Sequence, residues 1–348
     1  MNRKTENKSV RHHSAGRFFV GTLLALALAG CRHDAPVQLL GQAQGTYYNI
    51  QYYDAQHRDL KPQVDSLLGA FDRSASLWVD SSLLRRINDG GTDSLDAILR
   101  SLLVRSLWVE DYTEGAFNCR IGRLVQAWGF SFRQRQEPDS AELARLLRSA
   151  QAPVTVEGRR VVRTDTATEF DFNAIAQGYS VDLLARMFDS IGIGSYIVDV
   201  GGEVIARGCK ADGSPWRVGI ERPSDDSVGA QVVQTAIALR DASVVTSGNY
   251  RKYYERDGVR YSHTIDPATG RPVQHTLLSV SVVERESWLA DAMATAYMVM
   301  GLDRAKAFIA AHPDGPGTSA VYFIYDDHGR MATYATPAFE QLIKKQAI

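Results

Sequence analysis

Cysteine is scarce in this 348-residue chain, which has only Cys31, Cys119 and Cys209. They form no CxxC pair and no metal-like spacing, so neither a redox motif nor a zinc site is supported. The common nucleotide and hydrolase signatures are missing as well. GxxxxGK[ST] does not occur, no GxGxxG leads a strand into a helix, and HExxH and GxSxG are absent, so a P-loop, a Rossmann turn, a zincin helix and a nucleophile elbow are each unsupported. Charge of one sign is lacking too, the formal net charge being -1. From Gly41 onward there is no linker, low-complexity stretch or internal repeat. The apolar run Phe18–Gly30 is too short for a comfortable membrane-spanning helix.

What is present is ordinary globular material, 45% hydrophobic and 23% charged. The charge is unevenly placed. Arg3, Lys4, Lys8, Arg11 and Arg17 stand against Glu6 alone, which gives the first thirty residues +4 and leaves -5 for the rest. A mildly acidic body argues against a nucleic-acid surface. The basic head followed by FFVGTLLALALAG suits a signal-peptide core over residues 1–30. Leu28-Ala29-Gly30-Cys31 resembles the lipobox of bacterial lipoproteins. That resemblance implies cleavage before Cys31, its acylation (palmitate among the chains), a lipidated tether over 31–40 and a membrane-anchored protein facing the periplasm. The domain itself is expected over 41–348. Export implies an oxidising compartment, yet no disulfide is predicted between Cys119 and Cys209.

Periodicity gives a mixed α/β chain. TYYNIQYYD reads as a strand, and VDSLLGAFDRSASLWV, DAILRSLLVRSLWVEDY and SAELARLLRSA read as amphipathic helices. VTVEGRRVVRT reads as a hairpin and FDFNAIAQGYSVDLLARMFDSIGI as a short strand running into a helix. SYIVDVGGEVIARG is a buried strand with a Gly-Gly turn. WRVGIE, VVQTAIAL, ASVVTSG and LLSVSVVE are strands, SWLADAMATAYMVMG and DRAKAFIAAH are two helices, and VYFIYDDHGRMATY is a last strand pair. So many hairpins predict mixed or antiparallel sheets with flanking helices.

Several stretches carry polar residues where chemistry would want them. In GNYRKYYERDGVRYSHTIDPATGRP, Asp257-Gly258 is a hairpin turn and His263 lies on the return strand, sharing a face with Val259, Tyr261 and Ile265. It reads there either as a satisfied core histidine or as a group presented to a site. Asp291 and Thr295 are four apart on a helix and project from one face. A carboxylate and a hydroxyl so placed suit a hard cation that keeps its waters, as magnesium does; they equally suit a helix start with a dipole-favoured acid and a buried threonine. In FDFNAIAQGYSVD, Asp171 or Asn173 is expected to cap a helix whose Gly178 permits close approach, either of an anion or of a packed neighbour.

Together FNCRIGRLVQAWGF, DFNAIAQGYSVD, VDVGGEV, TSGNYRKYY, YSHTIDPATGRPV and ADAMATA occur in the order of the motifs of the ApbE family of periplasmic flavin transferases, and the resemblance runs from about Gly41 to near Phe339. It implies an ApbE-like mixed α/β fold with FAD in a cleft between two lobes. It also implies magnesium-dependent transfer of the FMN half of FAD onto a threonine of an acceptor flavoprotein, with release of AMP. Carried over residue by residue, the match assigns metal binding to Asp291, Thr295 and the backbone carbonyl of Ala174. It assigns flavin-nucleotide contacts to Ala116, Phe117, Asn118, Asp171 and Gln177, with Gln44, Trp78 and Ile265 beside the cofactor, and catalysis to His263 with Asp291. Family acceptors belong to membrane electron-transfer complexes. Gln177 stands where the family commonly has lysine, and Asn118-Cys119 where it commonly has Asp-Pro. Hydrolysis of FAD to FMN and AMP, and flavin binding without chemistry, are the competing readings.

Overall fold

Apolar residues at every second position build the centre of the molecule. In the computed structural model, residues 35–130, 138–223, 232–249, 253–256 and 259–346 are described, and Pro36–Ile348 forms one compact unit. The chain opens with the hairpin β1 (Val37–Ala43) and β2 (Thr46–Tyr52), then runs through helices α1 (Lys61–Ala75), α2 (Leu83–Asn88), α3 (Ala97–Tyr112), α4 (Gly122–Ala127) and α5 (Ser140–Gln151). The hairpin β3 (Val154–Glu157) and β4 (Arg160–Arg163) leads to helix α6 (Ala176–Ser190) and the strands β5 (Tyr196–Val200), β6 (Glu203–Arg207), β7 (Trp216–Glu221), β8 (Val233–Leu239) and β9 (Ala242–Gly248). Next come β10 (Tyr253–Arg256), β11 (Val259–Ser262), β12 (Ile265–Asp266), β13 (Arg271–Pro272) and β14 (Leu277–Glu284). Helix α7 (Ser287–Ala311), β15 (Ala320–Asp327), β16 (Arg330–Ala335) and α8 (Pro337–Gln346) complete it.

The main sheet has the order β1-β2-β5-β6-β9-β14-β15-β16, with every neighbouring pair antiparallel. Both of its faces are covered, and the period of two decides which residue goes where. On β15, Val321 and Phe323 join the core that includes α7, while Ala320, Tyr322 and Ile324 pack with Trp216, Ile237 and Phe339 under β7, β8 and α8. Toward the β1 edge, Tyr48, Ile50, Tyr196 and Val198 pack with Leu68 of α1 and Leu184 and Phe188 of α6. Helices α6 and α7 therefore lie against the sheet on the side that holds the polar motifs.

Several expectations need correction. The stretch 31–40 is not tether throughout, because β1 starts at Val37 and pairs Leu39 with Ile50; Cys31 lies outside the described residues. Helix α1 ends at Ala75, and Ser76 Oγ accepts from Trp78 N at 3.0 Å, which puts Trp78 on a loop, 62% exposed. The Phe170–Phe172 segment expected as a strand running into α6 is not one. Glu169 makes only an isolated parallel bridge to Ile121, Asn88 satisfies both backbone groups of Phe170 (2.8 and 2.9 Å), and Asp171 N donates to Cys119 O at 2.8 Å, so the segment needs no ladder. Finally, neither Asp171 nor Asn173 caps α6. The cap position is Ile175 without a side-chain bond, and Asp171 Oδ1 instead accepts from Asn173 N at 2.8 Å.

The two helices expected within 287–311 are both present, and they meet at a kink at Gly301, whose φ of 74° and ψ of 171° are not helical; α7 denotes the pair. Only glycine adopts that backbone readily. His275 seals the break: its Nδ1 accepts from Leu277 N at 3.3 Å, which leaves Nε2 as the donor to the Met298 carbonyl at 2.6 Å. Cys119 is buried and Cys209 half-buried, and the two do not pair.

Candidate active site

A cavity of about 740 Å³ opens where the β1–β2 turn, the loop before α4, the start of α6, the joint after β11 and the first half of α7 meet. Ligand-sized pockets run to roughly 300–1,000 Å³. Every candidate among the described residues lines it: Gln44, Trp78, Ala116, Phe117, Asn118, Asp171, Ala174, Gln177, His263, Ile265, Asp291 and Thr295.

The most constrained part is the crossing of α6 and α7. Gly178 lets the helices touch, for a Cβ there would meet Ser287 O at 2.5 Å and Asp291 Cβ at 2.8 Å. The Gly178 N–H, which a regular helix would give to the Ala174 carbonyl, donates to Asp291 Oδ2 at 2.9 Å. In return, Asp182 of α6 accepts from Ser287 N and Trp288 N at the start of α7, both at 2.8 Å. Asp291 is 5% exposed, and burial, with the Asp182 carboxylate adding to it, pushes its pKa up to about 7. Burial likewise raises Asp182 to about 6 against the pull of its two N–H donors. Thr295 Oγ1 lies 3.3 Å from Ser247 Oγ of β9.

Across the cavity the wall is held by its own side chains. The Asn118 amide donates to Glu110 Oε1 and the Ala150 carbonyl, both at 3.3 Å, and its Oδ1 accepts from Arg120 N at 2.6 Å. Arg120 also pairs with Glu110. Asn118 thus fixes the loop that carries Ala116 and Phe117. Burial pushes the neighbouring Cys119 thiol up to about 12, which rules it out as a thiolate nucleophile. Gln177 Nε2 donates to Val200 O at 2.8 Å, steadying the Gly201-Gly202 turn of the β5–β6 hairpin. Gln44 occupies the β1–β2 turn with φ 54°, and its Oε1 accepts from Ser180 Oγ at 3.3 Å.

His263 is not on a strand. β11 ends at Ser262 and β12 begins at Ile265, so His263 and Thr264 form a two-residue joint, while the turn residues Asp257 and Gly258 lie outside the described residues. The joint is pinned at Thr264, whose Oγ1 donates to Asn249 Oδ1 at 2.7 Å and whose carbonyl accepts from Val273 N at 3.0 Å. The half-buried His263 ring faces Phe130 edge-on, 6.5 Å between centroids. Ile265 is buried with Leu124 and Trp128, and Trp128 Nε1 donates to Gly270 O at 2.7 Å. Phe130, Ser247 and Asp182 escape a reading of the sequence. For Asp182 a signal was available, since it stands four residues after Gly178 and so on the same face of α6.

The sequence model of the ApbE family matches residues 44–318, most of the chain and all of the cavity. This protein belongs to the ApbE family. The chain is 35% identical over 331 residues to the FAD:protein FMN transferase of Vibrio cholerae serotype O1, covering 92% of this chain and 97% of that one. It is 32% identical over 343 residues to the FAD:protein FMN transferase of Escherichia coli K12, covering 95% of each. Among solved structures, the flavin transferase ApbE of Vibrio cholerae superposes with a TM-score of 0.76 at 32% identity, over 88% of this chain and 99% of that one. The apo flavinyl transferase ApbE of Pseudomonas stutzeri gives 0.78 at 32%, over 89% and 97%.

Proposed function

We propose that this ApbE protein transfers the FMN half of FAD to a threonine hydroxyl of an acceptor flavoprotein and releases AMP. The observation that carries the reading is the convergence of the candidate flavin, metal and catalytic residues on one ligand-sized cavity, in a chain whose relatives of nearly full length are FAD:protein FMN transferases. The threonine oxygen attacks the phosphorus of the FMN half, the bond from that phosphorus to the bridging oxygen breaks, and AMP leaves with the electron pair. His263 takes the hydroxyl proton, a role that suits an imidazole, which can both accept and pass on a proton, held by a pinned joint.

Magnesium fits the donors that face the cavity. Among the described residues no three of His, Cys, Asp and Glu converge as a metal-holding group, whereas Asp291, Thr295 and the Ala174 carbonyl offer a small, all-oxygen set of the kind that suits magnesium. Burial, with the Asp182 charge adding to it, raises the Asp291 pKa, and a cation held there would favour the ionised form. When bound, the ion would neutralise the diphosphate and the charge developing on AMP. Asp171, Gln177 and the Ala116–Asn118 loop would bind the nucleotide, with Gln44, Trp78 and Ile265 about the rings. The acceptor is expected to belong to a membrane electron-transfer complex. Cys31 would hold the enzyme to a bilayer on the periplasmic side, and Cys31→Ser should then release it from the membrane fraction.

Incubating the protein with FAD, Mg²⁺ and a candidate acceptor domain tests the activity. Transfer leaves a covalent flavin fluorescence on the acceptor. Free FMN would mean hydrolysis, and neither product would mean a flavin carrier.

A further inference from the structure

We infer that Asp182 is a positioning residue for Asp291: it sets the carboxylate in the cavity by clamping the first turn of α7 onto α6. The inference rests on the reading of Asp291 as a cation ligand given above, but its geometry stands independently. A helix start leaves its first N–H groups without intrahelical acceptors, and the usual remedy is a side chain at the cap position. In α7 that position is Glu286, which makes no cap bond; its carboxylate accepts from Trp288 Nε1 at 3.0 Å instead. Asp182, 4% exposed, supplies the cap from the other helix, one oxygen to each of Ser287 N and Trp288 N.

A cap from the same chain segment would satisfy those donors without fixing α7 to anything. A cap from α6 also sets the register between the helices. Ser287 lies one turn before Asp291, and Asp182 one turn after Gly178, so the two contacts close a rectangle: Asp182 to the start of α7, Asp291 back to Gly178 N. A shift at Ser287 is carried rigidly to Asp291. Asp182 does not line the cavity, so it would act on a ligand there through the helices it joins and not by contact. Burying a second carboxylate beside the first is unfavourable by itself, and the register it imposes is what the arrangement gains.

The test uses the full-length protein and Asp182→Asn, in which an amide NH₂ faces one of the two N–H donors, together with Asp182→Glu should the first variant fold poorly. A distant destabilising control is Phe308→Leu, beyond the Gly301 break. Two readouts are taken: amide exchange of Gly178 in the metal-free protein, and Mn²⁺ affinity from the electron-paramagnetic signal of the free ion. Asp182→Asn should accelerate Gly178 exchange at least tenfold and weaken Mn²⁺ binding about tenfold, with Asp182→Glu between it and wild type. Phe308→Leu should leave both unchanged. Gly178 exchange as slow in Asp182→Asn as in wild type, or equal loss of Mn²⁺ affinity in Phe308→Leu, overturns the inference. Faster Gly178 exchange in a protein whose wild type binds no Mn²⁺ supports the clamp and removes the metal reading instead.

Discussion

The two halves of α7 are buried in different ways. From Ser287 to Met300 every residue is buried except Thr295, which is half-buried. Beyond Gly301 burial returns only every third residue, at Ala305 and Phe308, with Asp303, Arg304 and Lys306 in solvent. The second half is an ordinary surface helix, whose charges need no explanation. In the first half no face is available for an idle polar group, so a carboxylate there has to be paired or put to use. The comparison separates two aspartates of α7, Asp291 and Asp303, of which only the first lines the cavity.

Replacing each is the most severe test. Asp291→Ala should reduce metal-dependent FMN transfer by on the order of 10²–10³-fold or more, while Asp303→Ala leaves it unchanged. Transfer at the wild-type rate by Asp291→Ala would remove the metal assignment and erase the distinction between the halves.

His263, which also lines the cavity, sharpens it next. If it acts as the base, His263→Ala should bind FAD normally and transfer it roughly 10²–10⁴-fold more slowly. A variant that does not fold would instead make His263 a core residue, no different in kind from His275 at the Gly301 break.

Much of this was legible in the sequence because the pieces are local. The strands β9 and β14, the helix start at Ser287 and the Gly-Gly turn after β5 follow from period and turn residues alone. What failed were inferences that carried a local rule past a tertiary contact. Alternation was extended through His263, where the ladder stops because Thr264 is drawn to Asn249 and Val273. The cap of α6 was sought among its own neighbours, Asp171 and Asn173, when the N–H of Gly178 is taken by α7. The grouping of the site residues came from family motifs, since their positions from 44 to 295 imply no contact by spacing.

The raised carboxylates give a smaller, pH-dependent effect. Burial first, with the Asp182 charge adding to it, lifts Asp291 to about 7, and burial, with the Glu286 charge adding to it, lifts Asp182 to about 6. An acid whose folded pKa lies above its unfolded value adds stability below the unfolded pKa, and that stability is lost as pH rises through the folded one. The metal-free protein should therefore lose this contribution between about pH 4 and 7. Asp291→Asn, which can still accept from Gly178, should melt with wild type at pH 4 and a few degrees above it at pH 8, with Mg²⁺ removed. A lower melting point for the variant at pH 8 would mean that the ionised carboxylate is already compensated by the protein itself.

The smallest expected effect is at Gln177, where the family commonly has lysine. A lysine near a diphosphate offers a charge-assisted hydrogen bond of roughly 1.5–3 kcal/mol, against perhaps 0.5–1.5 kcal/mol for a neutral amide. The structure narrows the difference further. Gln177 Nε2 is engaged with the Val200 carbonyl at the Gly201-Gly202 turn, and a lysine ammonium entering that position can make the same bond, so part of its capacity stays with the turn. Gln177→Lys should then tighten FAD binding by about tenfold or less, with the natural protein already an active transferase. Titrating FAD into both proteins with Mg²⁺ present, beside the acceptor assay, measures this. An inactive natural protein brought to life by Gln177→Lys would show that the amide disables the site, and flavin carriage would then be the better account of this chain.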